Sequence, residues 1–196
     1  MTHLRRKNLH FSIPVRWDDR NDSYYIEQYK QKKSLKSVLA ICFAEARETY
    51  HHWKVYADGV SGVCVEFSKD LLLEAFKKRD GMTIKPVEYK QIYEVQSNTP
   101  PIEEWPFLKR SAFQDEIELR AIYCSDTEEL DVKDVEFDLK CIRRITLSPW
   151  LHVSMVKAVV DVIKNIDGCS GLFVAPSSLL ENKLWRDAIN DDPRLR

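Results

Sequence analysis

The sequence lacks the motifs that mark several common chemistries. Its glycines, Gly59, Gly62, Gly81, Gly168 and Gly171, form no P-loop and no GxGxxG fingerprint, and no HExxH zinc motif occurs. The cysteines are Cys42, Cys64, Cys124, Cys141 and Cys169, and none lies within three residues of another. That spacing excludes a CxxC metal knuckle. No run of about 18 apolar residues is present, so no membrane-spanning helix is expected. The start lacks the apolar core of a secretory signal. An odd cysteine count without such a signal points to a reducing cytoplasm. Charge of one sign is missing too: 30 Lys and Arg stand against 31 Asp and Glu, a net charge of −1. A general nucleic-acid binder needs a basic excess to displace counterions, so net charge does not indicate nucleic acid as a partner. Two local basic clusters remain, Arg5-Arg6-Lys7 and the group Lys30, Lys32, Lys33 and Lys36. The second reads as a solvated helix face. No internal repeat appears.

What is present suits a folded domain. A chain of 196 residues buries roughly 70% of its unfolded surface, enough for a core without staples. Apolar runs and alternating segments predict strands near 8–14, 37–44, 63–67, 83–89, 116–124, 139–147 and 171–175. Helical spacing predicts helices near 24–33, 45–58, 69–79, 153–166 and 179–189. Residues 17–22 and 125–133 read as loops, and 191–196 as a polar tail. Pro86 assigns 83–89 to a sheet edge. The expected class is α+β: a single domain over 1–196, with a mixed, mostly antiparallel sheet and flanking helices. Residues 151–190 form a C-terminal helix-strand-helix.

The stretch richest in chemistry is Phe107-Leu-Lys-Arg-Ser-Ala-Phe-Gln-Asp-Glu-Ile-Glu-Leu-Arg120. As a strand, its second half places Glu116, Glu118 and Arg120 on one face and Ile117, Leu119 and Ala121 on the other. This is either a charged sheet surface with a Glu118–Arg120 ion pair or the acid end of an active site. In the second case a carboxylate stabilises a sugar cation as a glycosidic bond breaks. Lys109 and Arg110 either offer donors to phosphate or stand as exposed helix charges. Trp53 and Tyr56, one helical turn apart, are either a core pair or a stacking wall for a flat ring. His10 is either an ordinary strand residue or a ligand contact. The cysteines in apolar runs, Cys42, Cys64, Cys124 and Cys141, read as buried reduced thiols. Adjacent His51 and His52 point about 100° apart on a helix and do not share a metal. No metal site is expected. No clustered acid and histidine set supports a nuclease.

Taken in order, the pieces resemble the bacterial family called domain of unknown function 2971. They are Leu9-His-Phe-Ser-Ile-Pro14, Asp18-Asp19, Cys42-Phe43, Trp53-Lys-Val-Tyr-Ala-Asp-Gly59 and Gly62-Val-Cys-Val-Glu-Phe67. Val87-Glu-Tyr89, Phe107-Leu-Lys-Arg110, Phe113, Glu116-Ile-Glu-Leu-Arg120, Ile142-Arg-Arg-Ile145 and Ser148-Pro149 follow. The resemblance covers 9–150. Family members resemble components of mobile elements and phage-defence loci, and more distantly the ADP-ribosyltransferase fold. That likeness implies Glu118 as catalytic acid with Glu116 as its partner. It implies Trp53 and Tyr56 as a nicotinamide wall, Lys109 and Arg110 near phosphate, and His10 on the early strand that contacts the dinucleotide. The family usually carries a strand and helix before the Phe-Ser-x-Pro piece, so a shortened start is expected here, and its Asn-Asp-Pro is absent at Trp17-Asp-Asp19.

Two functions follow as expectations. The first is a cytoplasmic, NAD-consuming ADP-ribosyltransferase-like protein, a phage-defence or toxin component that acts on a macromolecular target or water. It requires Glu118 to face the same hollow as Trp53 and Tyr56. The alternative is a non-catalytic ligand- or protein-binding module.

Overall fold

The segments with the strongest apolar patterning become the centre of the main sheet. In chain order the elements are β1 (Asn8–Ser12), α1 (Arg20–Lys32), β2 (Ser37–Ala44), α2 (Tyr50–Tyr56), β3 (Val63–Phe67), α3 (Lys69–Lys77), β4 (Met82–Pro86) and β5 (Glu88–Lys90). Then come α4 (Ile92–Ser97), β6 (Leu108–Arg110), β7 (Glu118–Ser125), β8 (Val132–Glu136), β9 (Ile142–Leu147), α5 (Val153–Lys164), β10 (Val174–Pro176) and α6 (Lys183–Asn190). The computed structural model describes residues 4, 7–57, 59–77 and 79–190. Arg5, Arg6 and the tail 191–196 lie outside the described residues. The class is α+β, with a mostly antiparallel main sheet and flanking helices.

The chain divides into two units, residues 1–47 with 68–141 and residues 48–67 with 142–196. In the first, a five-stranded sheet has the order β4-β7-β2-β1-β8, and every pairing is antiparallel. β7 and β2 pair from Ser37↔Ser125 to Ala44↔Glu118. β7 is buried along nearly its whole length because both of its faces are covered. On one face Ala40 and Ile122 pack with Phe107, flanked by Trp17 and Cys124. On the other, Phe76 of α3 meets Phe11 at 5.7 Å and Phe43 at 6.3 Å between ring centroids. Such aromatic pairs contribute about 0.5–1.5 kcal/mol beyond their buried area. β5 and β6 form a separate parallel pair.

In the second unit β9 is central, antiparallel to β3 and parallel to β10. Its core includes Ile145, Leu147, Ile163 of α5 and Cys169.

Several boundaries differ from the sequence reading, each for a local reason. α1 begins at Arg20, inside the segment read as a loop, because Asp19 caps it. The Asp19 carboxylate accepts from the backbone N–H of Asn21 at 3.0 Å and of Asp22 at 3.4 Å. α2 starts only at Tyr50, where the Thr49 hydroxyl accepts from His52 N–H at 3.1 Å. The expected helix at 45–58 therefore shrinks to seven residues. The expected strand at 83–89 divides at Val87. Its first half is an edge strand that tolerates Pro86, and its second half joins β6. The loop expected at 125–133 holds from 126 to 131 and ends two residues early, where β8, Val132–Glu136, pairs in full register with β1. The strand expected at 139–147 opens with a 3-10 turn at Leu139–Cys141.

Gly81 is the one glycine whose freedom the main sheet requires. Its φ is +73°, and its carbonyl accepts from Cys124 N–H at 2.8 Å. A Cβ there would lie 2.6 Å from the Cys124 carbonyl oxygen. Gly81→Ala is expected to lower stability by about 1–2 kcal/mol or more, from the left-handed conformation and the clash together. Urea unfolding measures it; an unchanged midpoint would show that the β4 turn does not depend on this glycine.

Candidate functional site

The expected acid pair comes together, but not as alternate residues of one strand. Glu116 ends a 3-10 turn, Ser111–Glu116, and Ile117 follows with φ +43°. A β-branched residue in the left-handed region is strained. It is held there by the bond from Glu45 N–H to the Ile117 carbonyl at 2.8 Å. β7 therefore starts at Glu118. Ile117 is exposed rather than packed beside Leu119 and Ala121. The Glu118 main chain is pinned on both sides. Its carbonyl accepts from Val87 N–H at 2.8 Å, and its N–H donates to the Tyr89 hydroxyl at 2.8 Å.

Arg120 is the centre of the cluster. It is fully buried, as is the carboxylate of Asp22 from the first turn of α1. All five guanidinium N–H groups have an acceptor. Nε donates to Glu118 Oε1 at 2.6 Å and Nη2 to Glu118 Oε2 at 3.0 Å. Nη1 donates to Asp22 Oδ1 at 2.7 Å and Nη2 to Asp22 Oδ2 at 2.6 Å. The fifth bond, 2.8 Å, runs from Nη1 to the Pro106 carbonyl. The Trp17 ring lies 4.9 Å from the guanidinium carbon. This double fork uses the planar geometry that only Arg offers.

Lys109, on β6, joins the same network from its open side. Its ammonium lies 2.5 Å from Glu116, 3.2 Å from Glu118 and 3.9 Å from Asp22, with the Phe113 ring at 5.0 Å. Three carboxylates surround two cations, which leaves a formal charge of −1 in a largely dry region. The titration of each group reflects its place in that imbalance. Burial alone would raise Glu118, but hydrogen bonds and charge from Arg120, with Cys42 and Lys109, outweigh it and hold the carboxyl below its usual range. Asp22 goes the other way: burial dominates over Arg120, Glu118 adds repulsion, and its pKa is raised. Burial would lower Lys109, yet its bond to Glu116 and the charges of Glu118, Glu116 and Asp22 raise it. Cys42 presents surface to solvent, but its surroundings are crowded. Burial, then the Glu118 charge, pushes its thiol well up, so it stays a neutral thiol.

The remaining sequence candidates fall elsewhere. Arg110, on β6 rather than a helix, is exposed, and its side chain makes no hydrogen bond or ion pair among the described residues. His10 Nδ1 lies 2.8 Å from Asp134 Oδ1 on the neighbouring strand, and both side chains are open to solvent. Trp53 and Tyr56 belong to the second unit. Trp53 is buried, with its indole N–H donating to Glu48 at 2.7 Å, whereas Tyr56 is exposed. The two rings therefore form no common wall, although they lie three residues apart on one helix. The expectation of buried thiols holds for Cys141 and fails for Cys42 and Cys64, which are exposed; Cys124 is intermediate. Among the described residues no His, Cys, Asp and Glu group is arranged to hold a metal ion.

Sequence reasoning missed Asp22 and Trp17. Both sit in a segment that reads as loop, and only the packing of α1 onto the sheet carries Asp22 to Arg120. Chemically the cluster is a buried ion network with every strong donor engaged. Comparison with protein-family models, curated proteins and solved structures finds no match.

Replacing Arg120 by Met leaves two buried carboxylates without their main partner and is expected to cost about 3–5 kcal/mol in urea unfolding at pH 7. A loss below about 1 kcal/mol would overturn the central role given to it. The pH dependence has a definite sign. Because Glu118 is depressed, its stabilisation is present above the ordinary glutamate range and is lost as pH falls through its folded-state value. Asp22, being raised, opposes this: the penalty on its charged form is relieved as pH falls from its raised value toward the ordinary range. Unfolding free energies from pH 7 to pH 3 should therefore fall less steeply in Glu118→Gln than in the wild type, and more steeply in Asp22→Asn. Identical slopes in all three proteins would contradict the assignment.

Proposed function

We propose that the protein is a non-catalytic binding module whose second unit presents an apolar helix to a protein partner. The observation that carries this reading is α6. Leu184 and Trp185 are 79% and 76% exposed, and Ile189 is 60% exposed. They lie at i, i+1 and i+5 on one side of the helix. Asn182 caps its start, accepting from Trp185 N–H at 3.0 Å. The polar side is neutralised within itself, by Lys183–Asp187 at 2.5 Å and Arg186–Glu181 at 2.7 Å. A helix that binds anionic lipid carries a basic excess on its polar side. This one does not, which favours the apolar groove of a protein as the occupant. Burying side chains of this size contributes about 1.5–3 kcal/mol each, and exposed Trp is a frequent interface anchor.

The same reading accounts for the acid cluster. An acid that stabilises a sugar cation needs a carboxylate face free for the substrate. Both Glu118 oxygens are engaged, one by Arg120 and the other by Arg120 and Lys109. The NAD-consuming transferase expected from the family resemblance would have to break that network first. A cytoplasmic setting goes with the proposal, since all five cysteines are free thiols, the state a reducing compartment maintains. Among the described residues no helix is long and apolar enough to cross a membrane.

A photo-crosslinking residue at position 185, introduced in producing cells, should give a covalent adduct of discrete mass. The same residue at Lys140, also exposed, should give none. No discrete adduct at 185 would count against the module. Incubation with labelled dinucleotide should release no nicotinamide from wild type or Glu118→Gln. Release by the wild type alone would replace this proposal with the transferase.

A further inference from the structure

β5 and β6 run parallel in register, with Lys90 opposite Arg110. Paired residues in a ladder point to the same side, so two cations stand together at the carboxyl ends of this strand pair. Both chains then turn away, one into α4 and the other into the 3-10 turn Ser111–Glu116. The turn leaves a recess of about 540 Å³ lined by Lys90, Gln91, Tyr93, Gln96, Arg110 and Ser111, among others. That volume lies in the range of small-ligand sites, about 300–1,000 Å³.

The cations of this region differ in what they already bind. Lys109 is saturated by carboxylates on the other side of β6. Lys90 pairs with Glu88. Arg110 has neither a hydrogen-bonded nor an ion-paired partner for its side chain among the described residues. An unsatisfied planar guanidinium matches the geometry of a phosphate. Ser111 and the amides of Gln91 and Gln96 add neutral donors. Tyr93 is 68% exposed on the wall of the same recess, beside Ile92. An aromatic face so open to water is a stacking surface of the kind that holds a nucleobase. Glu88, Glu94 and Glu104 act on Lys90 through their charge. Glu88 is engaged with Lys90, and Glu94 Oε2 accepts from Gln91 N–H at 2.6 Å.

We propose that this recess binds a mononucleotide, with the phosphate on Arg110 and Ser111 and the base stacked on Tyr93. This site lies wholly within the first unit and is independent of α6, so either can fail without the other.

Titration calorimetry of the full chain tests it with adenosine monophosphate, adenosine, ribose 5-phosphate and inorganic phosphate. The nucleotide should bind saturably and at least tenfold more tightly than either half. Arg110→Gln should weaken the nucleotide and ribose 5-phosphate at least tenfold and leave adenosine unchanged. Tyr93→Ala should weaken the nucleotide and adenosine and spare ribose 5-phosphate. Both side chains are exposed, so unchanged melting temperatures are expected and confirm that any loss is local. No saturable nucleotide binding at millimolar concentration overturns the site. So does nucleotide binding that survives Arg110→Gln, and equal affinity for nucleotide and inorganic phosphate removes the base subsite.

Discussion

A single guanidinium, buried and with each of its five N–H groups bonded, sets the arrangement of one whole face of the main sheet. Arg120 ties β7 to the first turn of α1 through Asp22 and to the segment before β6 through Pro106. It ties β7 to itself through Glu118. None of these partners tolerates the loss of the others easily, because a charge left alone in a dry interior costs several kcal/mol. A charge network does not by itself make the fold more stable than an apolar core of the same shape. What it does is orient: the Asp22 fork forms only when the first turn of α1 lies against Arg120 of β7.

That arrangement separates the positions of charge from the positions of accessible chemistry. The acids that look most reactive as a string of letters are the most thoroughly occupied in three dimensions. Lys109 closes the open side of the cluster, and the Cys42 thiol beside it stays protonated. Among the described residues, those left free include Arg110, one residue along β6 from Lys109, and the apolar side chains of α6. Strand alternation explains the first contrast. Neighbours on β6 point to opposite sides, so Lys109 enters the ion network while Arg110 stays exposed and lines the recess above α4.

Much of the architecture was legible in the residues. Apolar runs at 37–44 and 153–166 and the edge position of Pro86 follow from short-range patterning, and they correspond to β2, α5 and an edge strand, β4. The Glu118–Arg120 ion pair was legible as an alternative, because residues two apart in a strand share a face. The failures have local causes. At Ile117 a left-handed residue breaks the alternation, and a β-branched side chain gives no warning of that. At 45–58 the helix waits for the Thr49 cap. At 132–133 the expected loop ends early, because an edge strand such as β8 is defined by its pairing with β1 rather than by its own composition.

Periodicity and composition within a few residues were enough for the class, the approximate places of most elements and the concentration of charge between 107 and 120. What those charges do was set by long-range packing. Asp22 and Arg120 are 98 positions apart, and no local pattern encodes a contact of that separation. Whether a carboxylate is a catalyst or half of a clamp depends on which donors reach it after folding, and at Glu118 those donors come from two different strands.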